Sequence, residues 1–131
     1  MITQQQAESL ARGWVEAWNR HDLDGIMAHY ADDIVFSSPF VATLANEPTG
    51  TLRSAAAVRA YFRQGLAVYP DLRFELLDVL TGVTSVTLYY RSVKDKLAAE
   101  VMSLNANGVI GRVDVHYRDG DSQTTGRKGA R

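Results

Sequence analysis

The spacing of apolar residues changes once along this chain, close to Pro70. Before Pro70, apolar side chains recur every three or four residues, which is the period of an amphipathic helix. After Pro70 they recur at every second residue, which is the period of a half-buried strand. Helices first and antiparallel strands afterwards predict an α+β fold with the helices on one face of a sheet.

Three helices are predicted in the first half. The first spans about residues 4–20, and the second follows the N-cap residue Asp22 and includes Tyr30. The third spans about residues 55–69 and is capped by Ser54. Short connections predict that the first two helices pack as an antiparallel hairpin.

One short strand and one long loop are predicted between the second and third helices. The strand covers residues 34–36 and ends before Pro39, because proline removes a backbone donor. Residues 40–53 lack a sustained period and contain Pro48 and Gly50, so they predict a loop with room for one short hairpin strand. Loops of this length often border a binding site.

A meander of four strands is predicted after Pro70. The strands cover about residues 72–80, 84–93, 96–104 and 109–117. The last connection contains Asn-Gly, which is a strong hairpin signal.

Length and composition predict one domain without a metal or cofactor. The 131 residues suffice for one domain, which we place at residues 1–117, and the polar residues 118–131 predict a disordered tail. The absence of cysteine excludes thiolate metal sites and disulfides, and the three histidines are too dispersed to form a metal site. Phosphate-loop and dinucleotide motifs are absent from the sequence, so no nucleotide cofactor is predicted.

The charge balance argues against nucleic acid as a partner, and the hydropathy argues against a membrane. A formal charge of −1 argues against nucleic acid as a partner, and no apolar run is long enough to suggest a membrane span or an export signal. Cytoplasmic localisation is therefore the expectation. Both side-chain rows of strand 96–104 are largely apolar, yet the helices suffice to cover only one face. We therefore expect the outer sheet face to meet a second copy of the chain.

Three stretches carry a family resemblance: WVEAWNRHDLDGIMAHYADDIVFSSP, GTLRSAAAVRAYF and LYYRSVKDKLAAEVMSLNANGVIGRVDVHY. They resemble the SnoaL-like branch of the nuclear-transport-factor-2-like superfamily, which also includes the ketosteroid isomerases, and the similarity covers about residues 5–117. The resemblance implies a cone-shaped fold, with three N-terminal helices in the concave face of a strongly curved, mainly antiparallel sheet. It also implies an apolar pocket at the wide end and, in many members, a dimer through the convex face.

The ketosteroid isomerase pattern is only partly present. Ser38 stands where those enzymes carry the aspartate that moves the proton, just before the proline after the first strand. Trp14 stands where they carry a tyrosine of the first helix, and an indole donates a hydrogen bond but does not ionise at that N–H. Glu100 corresponds to their acid on a late strand. The resemblance thus preserves an acidic role and argues against their isomerase mechanism.

Glu100 is the main candidate for chemistry, because it lies in the apolar stretch LAAEVMSL, where desolvation would raise its pKa. A two-residue turn at residues 94–95 would pair Tyr89 with Glu100 and place Arg91 on the same face. A register shifted by one residue would replace these two by Tyr90 and Ser92. We favour the first register, which makes Glu100, Tyr89 and Arg91 the predicted catalytic residues.

Aromatic and apolar residues at inward positions are expected to line the pocket. His116 alternates with these positions on the last strand and is expected to point outward. The predicted lining residues are Trp14, Trp18, Tyr30, Phe36, Ser38, Phe62, Met102, Val113, Val115 and Tyr117.

Two functions remain open from the sequence. The first is a small-molecule-binding enzyme without a cofactor, of the isomerase, cyclase or hydrolase type, which acts on a hydrophobic carbonyl compound with Glu100 as acid or base. The second is a non-catalytic dimeric binding or accessory domain in which Glu100 forms a structural ion pair with Arg91. An inward Glu100 beside an open cavity would favour the first function.

Overall fold

A computed structural model describes residues 1–119. It contains helices, a short 3₁₀ turn and a single sheet. The elements are α1 (Gln4–Asn19), α2 (Leu23–Met27), β1 (Tyr30–Ser37), α3 (Pro39–Leu44), β2 (Thr51–Arg53), α4 (Ala55–Val68), β3 (Glu75–Thr81), β4 (Ser85–Arg91), the 3₁₀ turn Val93–Asp95, β5 (Leu97–Leu104) and β6 (Ile110–Arg118). The tail predicted over residues 118–131 lies outside the described residues, apart from Arg118 and Asp119.

The six strands form one sheet in the order β2-β1-β6-β5-β4-β3. The β1–β6 pair is parallel, and the other four pairs are antiparallel. The helices pack against one face, which we call the inner face. This arrangement confirms the α+β class and the mainly antiparallel sheet. Among residues 1–119, no helix has the length and apolarity that a bilayer crossing requires.

Two of the predicted helices form close to their predicted bounds. Thr3 caps α1 in a reciprocal capping box with Gln6, and Ser54 caps α4 through the backbone N–H of Ala57. The buried stripe of α1 includes Trp14 and Trp18, which the helical period places on one side. This stripe forms one wall of the protein interior.

The predicted placement of Tyr30 in the second helix is wrong. The helix α2 is only one turn long, and Tyr30 begins β1, where it pairs with Ile110 of β6. The backbone N–H of Ile110 also donates to the carbonyl of His29 at 2.9 Å. Pairing with a central strand therefore prevails over the helical spacing of the apolar residues.

The loop predicted over residues 40–53 contains one helix that the sequence interpretation missed and the short strand it allowed. Ser38 caps α3 by accepting from the backbone N–H of Phe40, and Pro39 occupies the first helical turn. Serine as N-cap followed by proline is a recognised start signal for helices, because proline lacks a donor that the first turn does not use. The strand β2 pairs with β1.

The favoured register of the β4–β5 hairpin is also wrong, and the shifted one is correct. Leu88 pairs with Glu100, and Tyr90 pairs with Ala98. The row of β4 that is buried on the inner face contains Val86, Leu88 and Tyr90. Because a one-residue slip would expose this whole row, burial fixes the register.

The turn of this hairpin has three residues instead of two. The backbone N–H of Ser92 donates to the carbonyl of Lys96 at 2.7 Å, and that of Lys96 donates to the carbonyl of Val93 at 3.2 Å. Between them, Lys94 and Asp95 both adopt positive φ angles, 57° and 60°. A left-handed pair at the turn matches the twist of the two strands, and the turn begins at Val93, one residue earlier than predicted.

Candidate functional site

An apolar cavity lies between the helices and the inner face of β4, β5 and β6. It holds about 520 Å³ of atom-free space, part of which is open to solvent. Its wall is predominantly apolar, as in pockets that bind small molecules. The lining residues are Trp14, Trp18, Phe36, Phe40, Leu44, Tyr61, Phe62, Gly65, Tyr69, Leu72, Phe74, Tyr90, Ser92, Val93, Glu100, Val115 and Tyr117.

Glu100 contributes the carboxyl group of the cavity wall. Glu100 is only 3% exposed, because it belongs to the row of β5 side chains that faces the helices. The Tyr90 hydroxyl donates to Glu100 Oε1 at 2.6 Å. Burial raises the pKa of Glu100 from its ordinary value of 4.5 to about 7, and the hydrogen bond from Tyr90 offsets part of this rise. Glu100 can therefore exchange a proton near neutral pH.

No cation neutralises Glu100 among residues 1–119. Arg91 instead points to the outer face, where it meets Asp95 at 3.0 Å and Glu75 at 3.6 Å. Tyr89 is 37% exposed on the same outer face. The predicted grouping of Tyr89 and Arg91 with Glu100 is thus wrong, as is the structural ion pair between Arg91 and Glu100, because both followed from the wrong register.

Phenol groups surround the carboxyl group. Burial raises the pKa of Tyr90 and of Tyr117 well above the ordinary value of 10, and the negative charge of Glu100 raises both further. Burial also raises the pKa of Tyr61 to about 12. Each phenol therefore stays protonated at neutral pH and can donate a hydrogen bond. The Ser38 hydroxyl interacts with the phenols of Tyr61 and Tyr117, which links it to two lining residues of the cavity.

The two tryptophans of the cavity wall differ in their hydrogen bonds. The indole N–H of Trp14 donates to the Tyr30 hydroxyl at 3.0 Å. The indole N–H of Trp18 is buried and finds no acceptor among residues 1–119. The Trp18 ring packs against Phe62 and Phe74, with ring centroids 4.8 and 5.2 Å away. Within residues 1–119, the Trp18 indole is therefore a buried donor of the wall without an acceptor.

Comparison with known proteins identifies the family. Residues 11–124 match the profile of the SnoaL-like domain. The chain belongs to the SnoaL-like family. No curated protein matches the sequence.

Solved structures agree with this assignment. A SnoaL-like protein of unknown function from Burkholderia thailandensis is 44% identical, with a TM-score of 0.87 over 89% of this chain and 98% of that one. Two more distant structures show the shared fold. A candidate isomerase of the SnoaL-like family from Agrobacterium tumefaciens is 17% identical (TM-score 0.71, 88% and 99% covered). An NTF2-like protein of unknown function from Cytophaga hutchinsonii is 15% identical (TM-score 0.67, 90% and 95% covered).

Within this SnoaL-like domain, the cavity includes some of the predicted lining residues and not others. Tyr30, Met102 and Val113 are buried in the core but do not line the cavity, and Ser38 interacts with the lining residues Tyr61 and Tyr117 without lining it. The predicted residues that line the cavity are Trp14, Trp18, Phe36, Phe62, Val115 and Tyr117.

The sequence analysis missed the lining residues contributed by α3, by β4, by most of the α4 stretch that faces the cavity and by the segments after α4 and β4. Phe40 and Leu44 belong to α3, which the capping signal at Ser38 and Pro39 could have revealed. Tyr90 and Ser92 face the cavity in the shifted register, which is the alternative to the favoured one. Phe74 stacks on Trp14 with centroids 5.6 Å apart, and only the tertiary fold brings these two residues together.

His116 lies outside the site of this SnoaL-like domain. Its side chain is exposed on the outer face, and its Nδ1 lies 3.3 Å from the carbonyl oxygen of Ala99. Val113, Val115 and Tyr117 occupy the positions opposite Met102, Glu100 and Ala98 on the inner row, as the sequence predicts. Among residues 1–119, no three histidine or carboxylate side chains are grouped so that they could hold a metal ion.

Proposed function

We propose that the chain binds a small hydrophobic carbonyl compound in the cavity and catalyses a proton transfer on it without a cofactor. The observation that carries this proposal is the environment of Glu100. A carboxyl group in an apolar cavity, held by one phenol and without a cationic partner among residues 1–119, has its pKa raised to about 7. General acid and base catalysis is most efficient at such a pKa.

In the proposed reaction, ionised Glu100 removes a proton from the carbon next to the carbonyl group. The electron pair of the broken C–H bond moves into the carbonyl group, so that negative charge develops on its oxygen. The phenol of Tyr117 lines the same cavity and remains protonated, so it can donate a hydrogen bond that stabilises this oxygen. Glu100 then returns the proton to another position of the same molecule, and the carboxylate is regenerated.

The test is deuterium incorporation into 2-tetralone, a bicyclic ketone with acidic protons next to its carbonyl group. Proton NMR in D₂O follows the loss of those signals. We expect the wild-type protein to accelerate the exchange above the buffer rate, and Glu100→Gln to return it to the buffer rate. Glu75→Gln makes the same change at an exposed position of β3 and serves as the matched control. Equal rates for wild type and Glu100→Gln would instead favour a non-catalytic binding domain.

We further propose that the chain forms a homodimer through its outer sheet face. On the outer face Tyr89 pairs with Ala99, and Thr87 pairs with Leu80 on one side and Val101 on the other. The apolar outer patch consists of Leu80, Tyr89, Ala99 and Val101, which lie in these two adjacent rows. Leu80 is 53% exposed and Tyr89 is 37% exposed. Exposed apolar surface of this kind is commonly buried in an interface.

Sedimentation velocity tests the dimer. We expect the wild-type protein to sediment as a dimer and Leu80→Glu to sediment as a monomer, because a charge in the patch would be desolvated in the interface. Val68→Glu is the matched control, since Val68 is 49% exposed on α4, away from the sheet. A wild-type monomer, or an unchanged Leu80→Glu dimer, would exclude this interface.

A further inference from the structure

The unused donor of Trp18 sets it apart from its neighbour in the cavity wall. Both tryptophans lie on α1, both are at least nine-tenths buried, and both line the same cavity. Trp14 donates its indole N–H to Tyr30, whereas the N–H of Trp18 has no acceptor among residues 1–119. The contrast lies between two identical groups that are one helical turn apart.

An unpaired buried N–H is costly, because it loses its hydrogen bond to water and gains nothing in return. Native proteins leave few such groups, and those that remain call for a physical explanation. The surroundings of Trp18 offer no substitute, since its neighbours are the rings of Trp14, Phe62 and Phe74. A ligand in the cavity would bring an acceptor to Trp18, which has none among residues 1–119.

Trp18 also lies apart from the carboxyl group along the wall. The Phe74 ring stands 5.2 Å from the Trp18 ring and 4.8 Å from the Tyr90 ring, and Tyr90 in turn holds Glu100. The rings of Phe74 and Tyr90 thus lie between the Trp18 indole and the Glu100 carboxyl group. A ligand that contacts both Trp18 and Glu100 must do so through different atoms.

We propose that the Trp18 indole N–H is a second recognition point of the cavity, which donates to an acceptor oxygen of the ligand other than the one at the Glu100 end. The inference rests on the proposed function and names its ligand class: a flat, apolar molecule with two separate acceptor oxygens, as in diketones and quinones. The acceptor at Trp18 is uncharged, because an anion would lose its hydration against the surrounding rings. Trp18 thereby selects ligands at a point remote from the chemistry.

The experiment follows the indole N–H signals of the ¹⁵N-labelled protein by NMR. The chain has two tryptophans and hence two such signals, which Trp18→Phe or, if that variant does not fold, Trp14→Phe assigns. The probes are naphthalene with no acceptor, 1-tetralone with one and 1,4-naphthoquinone with two at opposite sides of a flat bicycle. We expect the Trp18 signal to move downfield with naphthoquinone relative to naphthalene, while the Trp14 signal, already bonded to Tyr30, shows no such difference.

Affinity gives a second readout. Trp18→Phe keeps an aromatic ring against Phe62 and Phe74 but removes the donor, so we expect it to reduce the preference for naphthoquinone over naphthalene about tenfold. A merely structural role of Trp18 would weaken both probes equally. Such an equal loss, or a Trp18 signal that does not distinguish the two bound probes, would overturn the inference.

The outcomes separate this inference from the proposed function. If naphthoquinone binds without engaging Trp18, the inference fails while the exchange assay on Glu100 still stands. If Trp18 responds but Glu100→Gln leaves the exchange rate unchanged, the catalytic proposal fails and the recognition point remains. If no probe binds up to its solubility limit, the inference is overturned, and the exchange assay judges Glu100 by itself.

Discussion

Tyr89 and Tyr90 are adjacent in the sequence but lie on opposite faces of the sheet. Tyr90 is 1% exposed and donates a hydrogen bond to the buried carboxyl group of Glu100. Tyr89 is 37% exposed on the outer face, next to Arg91 and its two acidic partners. A tyrosine thus lines the cavity on one face of β4, and another tyrosine lies at the protein surface on the other face.

The difference follows from strand geometry, because successive side chains point to opposite faces. On the inner face, a carboxyl group has no cationic partner among residues 1–119 and its pKa rises. On the outer face, Glu75 and Asp95 share one guanidinium group in contact with solvent. A shift of one residue in the β4–β5 register therefore decides whether Glu100 lies in the cavity without a cationic partner or faces Arg91 as an ion pair.

The largest expected effect is the difference in unfolding free energy between the Tyr90→Ala and Tyr89→Ala variants. Tyr90→Ala empties a buried position and should cost about 3–5 kcal/mol of unfolding free energy, whereas Tyr89→Ala should cost less than about 1 kcal/mol. Urea unfolding measures both, and the Leu80→Glu background keeps the proposed dimer from contributing. Similar losses for the two variants would contradict the assigned faces of β4.

The next effect concerns the pH dependence of stability. The pKa of Glu100 rises from 4.5 to about 7 on folding, so the unfolded chain releases this proton first. The contribution of Glu100 is fully present below about pH 4.5, is lost as the pH rises to about 7 and is absent above that. The loss amounts to about 3 kcal/mol. Glu100→Gln should remove this dependence, measured as urea unfolding between about pH 4 and pH 8.

Glu75→Gln is the control for that measurement, because Glu75 is exposed and lies on the outer face. It should leave the pH dependence of the wild-type protein in place. A Glu100→Gln protein whose stability still falls by the same amount over this range would show that another group titrates there.

Much of the fold was predictable because apolar periodicity is a local signal. The bounds of α1 and α4 and the four strands of the meander followed from it, as did the inward row of Val113, Val115 and Tyr117. The errors occurred where a longer-range contact decides the outcome. Tyr30 fits a helical stripe, but pairing with Ile110 of a distant strand makes it part of β1.

The site was harder to predict, although part of the signal was present. The residue Glu100 follows from its apolar surroundings, but its partner depends on the hairpin register. The sequence contained a reason to prefer the correct register, since Val86, Leu88 and Tyr90 alternate with more polar residues. An Arg91–Glu100 pair would have required that apolar row to face outward. The unpaired state of Trp18 leaves no such trace, because it depends on the absence of an acceptor in three dimensions.

A smaller effect concerns the pKa of Glu100 itself. Tyr90→Phe removes the hydrogen bond that stabilises the ionised carboxylate, so the pKa of Glu100 should rise further. A hydrogen bond to a charged group is worth about 1.5–3 kcal/mol, which sets the scale of the change. Carbon-13 NMR of the Glu100 carboxyl group measures it during a pH titration, and an unchanged or lower pKa would contradict the contact.

Arg91→Gln should have the smallest effect. Its ion pairs with Glu75 and Asp95 are open to solvent, so their loss should cost less than about 1 kcal/mol of unfolding free energy. The same ¹³C titration should give an unchanged pKa for Glu100, because the guanidinium group lies across the sheet from it. A rise in that pKa would mean that Arg91 stabilises the carboxylate after all. In the observed register, Tyr90→Phe should change the pKa of Glu100 and Arg91→Gln should not. The opposite result would favour the register in which Arg91 faces Glu100.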